Sequence, residues 1–326
     1  MTRAMALLVR MMRLKVVVTL WTFLLIGLAR HAGPMPSGEL LLAFLALAAG
    51  YAAATTANDI ADIEIDRVNR PRDAGRPLVT GDATVPDLWR TNALAACVAF
   101  GAAIPLGTHG LVIVGSSVAV SYAYSVGPIR LSRRWTLAPI ALALAYVAFP
   151  YALGVTIAGG RWDGRDVPLV AGLVVLFVAR IVLKDFRDRL GDATFGKPTL
   201  LLRLGKPATC LISVIGAALG TAILTAGLDV PASVAAMFTV CAIGIEWMLI
   251  RLARTQDPRL EQVAIGIAAR AGNGLLISAL AFLLLQADGA DERTIVTILA
   301  CVIGVFTVSF LDAASHPERV RIGYKA

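Results

Sequence analysis

Long apolar runs separated by short polar stretches dominate this chain. An apolar run of about 18 or more residues is long enough to cross a bilayer as a helix. Ten such segments occur, at residues 15–30, 38–57, 87–107, 109–126, 135–158, 166–183, 207–227, 230–250, 264–286 and 294–312. Leu, Ala and Val fill them without strand-like alternation, and lipid tolerates only helices or closed barrels. The pattern predicts an all-α, polytopic membrane protein of about ten transmembrane helices, forming a single domain over residues 1–326.

Composition supports this prediction and argues against a soluble domain. Hydrophobic residues make up 58% of the 326 positions and charged residues 16%, whereas soluble domains contain about 45–50% and about 25%. The basic N-terminal stretch is interrupted by Arg10, Arg13 and Lys15, so we interpret it as a cytoplasmic lead-in to the first helix rather than a signal peptide.

Basic residues are unevenly divided between the two sides that the predicted helices create. With the N-terminus inside, all but four of the 30 Lys and Arg residues lie in the inner segments; the exceptions are Arg30, Arg161, Arg165 and Arg293. Cytoplasmic loops carry such an excess. We therefore expect both termini and the loops 58–86 and 184–206 on the cytoplasmic face of the cell membrane. This bias explains the net charge of +8 better than nucleic-acid binding does.

Two acidic clusters with the same spacing follow the second and sixth predicted helices. They comprise Asn58, Asp59, Asp62 and Asp66, and then Asp185, Asp188 and Asp192. Each reads D-x-x-D-x-x-x-D, and positions i, i+3 and i+7 share one face of a helix. We therefore expect two stripes of three carboxylates, both on the same side of the membrane.

Both stripes occupy places that are unfavourable for anions. They lie at helix C-termini, where the macrodipole opposes negative charge, and an Asp in hydrocarbon costs up to about 2.5–3.5 kcal/mol at the bilayer centre. A single cluster could be an ordinary charged helix end, paired with Arg67, Arg187 or Arg189. Two clusters with identical spacing favour a bound cation, and their carboxylate and amide oxygens suit Mg²⁺. We predict that these seven residues hold Mg²⁺, bridged by a diphosphate.

Further polar residues near the clusters are candidates for binding the diphosphate, whose oxygens need donors beyond the metal. They are Arg13, Arg76, Tyr124, Ser125, Arg130, Lys184 and Lys197. The alternative is that basic residues here only follow the positive-inside rule, and we accept it for Arg133, Arg134, Arg251 and Arg254.

These motifs resemble the UbiA-type intramembrane prenyltransferase superfamily. Residues 58–66 match its N-D-x-x-D-x-x-x-D motif, and residues 185–192 match its D-x-x-D-x-x-G-D motif. The R-P-L-x-x-G stretch at 76–81 and the Y-S-x-x-P stretch at 124–128 are also similar to family features. The resemblance covers roughly residues 10–290 and implies nine to ten transmembrane helices around a central cavity. The family usually has nine helices, so segment 294–312 would be an addition.

The resemblance also implies an activity, which is Mg²⁺-dependent transfer of a prenyl group from a prenyl diphosphate to an aromatic or lipid acceptor. Metal and cationic side chains would stabilise the diphosphate leaving group, and a dry cavity would protect the allylic cation from water. We expect Asp188 or Asp192 to take up the proton that the acceptor releases. Tyr146, Phe149 and Tyr151 could stack on the cation, although we favour simple lipid or core packing for them.

Other functions remain open at this level. An intramembrane terpene cyclase would use the same ionisation without an external acceptor. A cation-coupled transporter is a remote alternative, because transport sites usually lie near the bilayer midplane and these acidic residues lie at helix ends. A CDP-alcohol phosphotransferase is less favoured, because its D-x-x-D-G-x-x-A-R pattern is absent from the sequence.

Overall fold

A computed structural model of the chain describes residues 3–31 and 37–320, except for the side chain of residue 37. Within these ranges the regular elements are all helical, which confirms the predicted fold class. Both chain ends, and Arg321 and Lys325 among the basic residues assigned to the inner side, lie outside the described residues.

Eight stretches of the described chain are long and apolar enough to cross a membrane. They are Gly38–Ala61, Val85–Ser125, Leu137–Ile157, Asp166–Thr194, Leu200–Leu228, Ala232–Arg254, Pro258–Ala287 and Glu292–Ser315. A ninth crossing results if the pair Arg3–Met12 and Leu14–Arg30, bent by 59°, is one span. The predicted segments 87–107 and 109–126 correspond to Val85–Ser125, which contains two 19-residue helices joined by a short turn. The chain is therefore a multi-pass membrane protein.

The chain divides into two compact units. Of the described residues, the first contains 3–31, 37–161 and 188–199, and the second contains 162–187 and 200–320. The single domain over 1–326 and the central cavity stay predictions.

Nine helices of the first unit precede its short second segment. They are α1 (Arg3–Met12), α2 (Leu14–Arg30), α3 (Ser37–Ala61), α4 (Ile63–Asn69), α5 (Pro77–Thr80), α6 (Val85–Ala103), α7 (Gly107–Ser125), α8 (Leu137–Ala143) and α9 (Phe149–Ile157). Glycines bring α2 and α9 into backbone contact, because a Cβ on Gly27 would lie 2.2 Å from the Tyr151 carbonyl oxygen and one on Gly154 would lie 2.0 Å from that of Leu24. Even the methyl group of an alanine would not fit at either position, so the contact between α2 and α9 fixes the position of α2 in the unit.

Polar groups inside the first unit tie α3 to α6. The amide of Asn92 on α6 donates to the Ala53 carbonyl at 2.7 Å and to the Thr56 hydroxyl at 2.8 Å. Both donors and acceptors are buried, and a buried polar group left without a partner would cost about 1–3 kcal/mol. These bonds fix the α3 turn that comes just before the first acidic cluster.

The remaining helices are α10 (Asp166–Ile181), α11 (Asp185–Thr194), α12 (Leu200–Leu228), α13 (Ala232–Arg254), α14 (Pro258–Ala287) and α15 (Glu292–Ser315). Helix α11 begins in the second unit, and its residues from Asp188 onward belong to the first. Within the second unit, Gly172 and Gly227 allow α10 and α12 to pack backbone against backbone, since a Cβ on either would approach a main-chain nitrogen to 2.6–2.7 Å. The short helices α4, α5 and α11 occupy the predicted motif loops.

Candidate active site

The first acidic cluster lies at the junction of α3 and α4. Asp62 interrupts the helix with φ −112° and ψ 19°, yet backbone hydrogen bonds continue from Asp62 to Asn58 and from Asp66 to Asp62, both at 2.9 Å. The carboxylates of Asp59 and Asp66 therefore reach the same guanidinium, that of Arg76. The side chains of Asp59, Asp62 and Asp66 are all buried.

Asp59 is held by two of the predicted diphosphate-binding residues. Arg13 donates from Nη2 to both carboxylate oxygens, at 2.9 and 2.7 Å, and to the Gly75 carbonyl at 3.2 Å. Arg76 donates to Asp59 Oδ1 and lies 2.9 Å from Asp66 Oδ2. Arg13 takes a left-handed conformation, with φ 44°, at the joint between α1 and α2. The bend of this helix pair thus brings a basic side chain to the first cluster.

Asp62 binds two basic residues that are distant in sequence. Lys197 Nζ lies 2.8 Å from Asp62 Oδ2, and Arg130 Nη2 lies 3.1 Å from Asp62 Oδ1. Lys197 also lies 3.8 Å from Asp192 Oδ1 of the second cluster. The fold of the first unit therefore brings parts of both clusters to one lysine.

Asp188 of the second cluster is paired with a residue that sequence analysis did not select. Arg70 donates from Nη2 to both oxygens of Asp188, at 2.7 and 2.6 Å, and from Nε at 3.2 Å. Arg70 follows Asp66 by one helical turn, so it shares a face with the carboxylate stripe, and that spacing could have identified it.

The glycine of the second motif allows α4 to dock on α11. The Gly191 amide donates to Asn69 Oδ1 at 2.6 Å, and a Cβ at Gly191 would lie 2.7 Å from the Ile65 carbonyl oxygen. Asn69 is a second residue that sequence analysis missed. Its signal was weak, because it is one polar residue among many in a loop.

Four further candidates lie in other elements. Lys184, just before α11, and Asp185, its first residue, belong to the second unit, and Asp185 is buried. Their approach to the first cluster stays a prediction. Tyr124 and Ser125 end α7, and both are buried.

Burial and ion pairing act against each other at the cluster. Burial raises the pKa of Asp62, but Lys197 and Arg130 outweigh this effect and hold that pKa below its usual range. Burial also raises the pKa of Asp66. Arg76 and Arg70 offset only part of this rise, so the pKa of Asp66 stays above its usual range. The pKa values of Asp62 and Asp66, four residues apart, are thus shifted in opposite directions.

Five carboxylates and five basic groups form ion pairs in three neighbouring groups of the first unit. They are Asp59, Asp62, Asp66, Asp188 and Asp192, with Arg13, Arg70, Arg76, Arg130 and Lys197. In residues 3–31 and 37–320, no group of three acidic, His or Cys side chains is arranged to hold a metal ion. Asp66 Oδ2 is nevertheless buried without a hydrogen bond from the described residues. The oxygen donors suit Mg²⁺ chemically, provided that the basic side chains move away.

Comparisons with known proteins point to the same family as the geometry. Digeranylgeranylglyceryl phosphate synthase from Pyrococcus horikoshii is 28% identical over 58% of this chain and 65% of its own length, just under two thirds. Homogentisate phytyltransferase from Synechocystis is 28% identical over 67% of this chain and 72% of its own length. Among solved structures, a UbiA homolog from Archaeoglobus fulgidus bound to GPP and Mg²⁺ matches with a TM-score of 0.58 and 16% identity, covering 95% of this chain and 99% of that one.

The family assignment rests on a longer match than these pairwise ones. The model of the UbiA prenyltransferase family matches residues 19–268, which include both acidic clusters and most of the predicted spans. The described helices and the solved homolog agree in fold over nearly the whole chain. The paired Asp motifs, the all-helical fold and this match lead to one conclusion: the chain belongs to the UbiA prenyltransferase family.

Proposed function

We propose that this protein is a Mg²⁺-dependent prenyltransferase, which moves a prenyl group from a prenyl diphosphate to an aromatic or lipid acceptor within the membrane. The observation that carries the proposal is the set of five carboxylates and five basic groups that pair in the first unit. Relatives named as synthases and transferases of prenyl groups, and the homolog bound to GPP and Mg²⁺, support it.

The carboxylates and one amide oxygen would hold the metal. We assign this role to Asn58, Asp59, Asp62, Asp66, Asp185, Asp188 and Asp192. Mg²⁺, when bound, supplies positive charge against the diphosphate leaving group. Because Mg²⁺ usually binds through one or two carboxylates plus substrate phosphates, this set has enough oxygens for two ions.

The basic residues would exchange their carboxylate partners for the diphosphate of the substrate. Arg13, Arg76, Arg130 and Lys197 now neutralise carboxylates. Once those carboxylates bind metal, the four side chains can donate to diphosphate oxygens, with charge-assisted hydrogen bonds of similar strength. Lys184, Tyr124 and Ser125 complete the proposed diphosphate-binding set. The exchange keeps the buried charges balanced in both states.

The proton released by the acceptor needs a base. Asp188 and Asp192 are our candidates, and Asp192 is preferred, because Arg70 donates to both oxygens of Asp188. A carboxylate whose lone pairs accept from a guanidinium is a weaker base. The excess of Lys and Arg in alternate loops supports a cytoplasmic position for the termini and the loops 58–86 and 184–206.

The proposal is tested with purified protein, Mg²⁺ and allylic diphosphates of several chain lengths. Release of diphosphate is measured with and without aromatic and lipid acceptors. We expect release with a coupled product that requires an acceptor and disappears in excess chelator. A cyclic hydrocarbon formed from the donor alone would instead identify a terpene cyclase, and full turnover in chelator would refute the metal assignment.

A further inference from the structure

Glu246 is an acidic residue in the middle of an apolar helix. It lies in α13, eight residues before the end at Arg254, which is roughly 12 Å at 1.5 Å per residue. The 23 residues of α13 form a candidate membrane span. An ionisable group at this depth is costly, and where one occurs it usually faces a cavity or a partner.

The partner is missing for Glu246 in the part of the chain that the structure describes. Within residues 3–31 and 37–320, its carboxylate makes no hydrogen bond or ion pair. Glu261, in the same unit, is different, because it accepts from Lys206 Nζ at 2.7 Å. Glu261 is therefore paired with a lysine, whereas the Glu246 carboxylate is available to a ligand.

Glu246 faces a cavity of about 510 Å³ between α12 and α13. This volume is within the range of small-molecule sites, about 300–1,000 Å³. Apart from Glu246, the polar side chains of the lining are Thr221, Thr225, Thr239 and Asp229. The rest of the lining is Ala, Val and Ile, and it contains no basic residue.

The threonines present acceptors to this cavity. Each hydroxyl already donates to a carbonyl four residues earlier in its own helix, at 2.8, 2.7 and 2.9 Å for Thr221, Thr225 and Thr239. A hydroxyl has one proton and two lone pairs, so the lone pairs are what remains for a ligand. Asp229, at the turn after α12, is exposed and lies 3.6 Å from Arg165.

We propose that this cavity binds the ammonium group of a membrane-soluble primary amine, with Glu246 as its counter-ion. An ammonium carries three donors and no acceptor, which complements a lining of hydroxyl lone pairs and one carboxylate. Its alkyl chain lies along the Ala and Ile side chains between the two helices. The site is independent of the acidic clusters and of prenyl transfer.

The test uses the full-length protein in nanodiscs of neutral lipid, with radiolabelled dodecylamine as the probe. We expect one saturable site per chain, weakened at least about tenfold in Glu246→Gln, since the ammonium loses its counter-ion. Glu39→Gln removes an exposed carboxylate of α3 and serves as the matched control, with unchanged binding. Dodecanol should not compete, and dodecyltrimethylammonium, which lacks N–H donors, should compete poorly.

A second measurement guards against a folding defect. Dodecylamine should raise the unfolding temperature of the wild type and of Glu39→Gln, and should leave that of Glu246→Gln unchanged. Non-saturable partitioning into the bilayer alone, or equal saturable binding by Glu246→Gln, would overturn the proposal. Prenyl transfer, if present, should be retained in Glu246→Gln, so failure here is distinguishable from failure of the proposed enzyme activity.

Discussion

The two units use buried charge in contrasting ways. In the second unit, Lys206 binds Glu261 and the Thr255 carbonyl, which closes a small group joining α12 to α14. In the first unit, basic residues are shared among several carboxylates: Arg76 serves Asp59 and Asp66, and Lys197 serves Asp62 and Asp192. A closed pair is a fixed structural contact. A basic residue that is shared between two carboxylates can lose one of them and keep the other. A site that exchanges ligands needs this property.

The largest effect is expected from the shared network. Asp62→Ala should lower diphosphate release by about 10²–10³-fold, because an electrostatic element of the site is lost, while the protein remains folded. Release is measured under single turnover, and folding by the thermal unfolding of the same preparation. Asp82→Ala is the matched control, since Asp82 is exposed and bound to Arg10 outside the network. Equal loss in both variants would contradict a special role for Asp62.

Substitution of the pair Lys206–Glu261 should lower the free energy of unfolding rather than the turnover. Lys206→Met removes the ion pair of Lys206 with buried Glu261, and breaking a buried pair from one side costs about 3–5 kcal/mol. The double variant Lys206→Met/Glu261→Leu should recover most of this loss. Denaturant unfolding in mild detergent measures both, with Arg254→Met as an exposed control. If Lys206→Met were harmless, the pair would not be the structural contact that we describe.

The shared network should also couple its two ligands. Mg²⁺ alone meets five basic groups and diphosphate alone meets five carboxylates, so each should bind weakly, whereas each should strengthen the other by about 5–150-fold, the usual range of coupling. Calorimetry with a non-reactive prenyl thiodiphosphate, with and without Mg²⁺, measures this factor. Independent binding of the two would show that the basic residues do not change partners.

The smallest effect is a difference in pH dependence between neighbouring carboxylates without metal. Asp62 has a lowered pKa, so its contribution to stability is present above about pH 4, the ordinary Asp value, and is lost as the pH falls through the folded-state pKa. Asp66 has a raised pKa, so its contribution is present below about pH 4 and is lost as the pH rises through the folded-state pKa. Asp62→Asn and Asp66→Asn should therefore change the slope of stability against pH in opposite senses.

The sequence was sufficient for the helices and for the acidic clusters, because both follow from local patterns. Apolar length located every candidate span, and the i, i+3, i+7 spacing explains why Asp59 and Asp66 reach one arginine. The number of crossings was less certain, since a Gly107 break with φ 77° splits one continuous apolar stretch into two helices.

The pairing of residues that are distant in the chain could not be predicted from the sequence. Nothing local indicates that Arg70 binds Asp188, which is 118 residues away, or that Asn69 accepts from Gly191. Glu246 was passed over for a similar reason, because one acidic residue hardly changes the hydropathy of a long helix. Its isolation becomes visible only when the surrounding side chains are placed.

The left-handed residue between α1 and α2 has one further consequence. Arg13 is both the joint of these two helices and a partner of Asp59, while α2 is fixed by its backbone contact with α9 at Gly27 and Gly154. Any straightening of the pair must therefore rotate α1 and pull the guanidinium off the carboxylate. Occupation of the site and the orientation of α1 are therefore coupled through Arg13, so a lipid surface that binds α1 would act on the proposed catalysis.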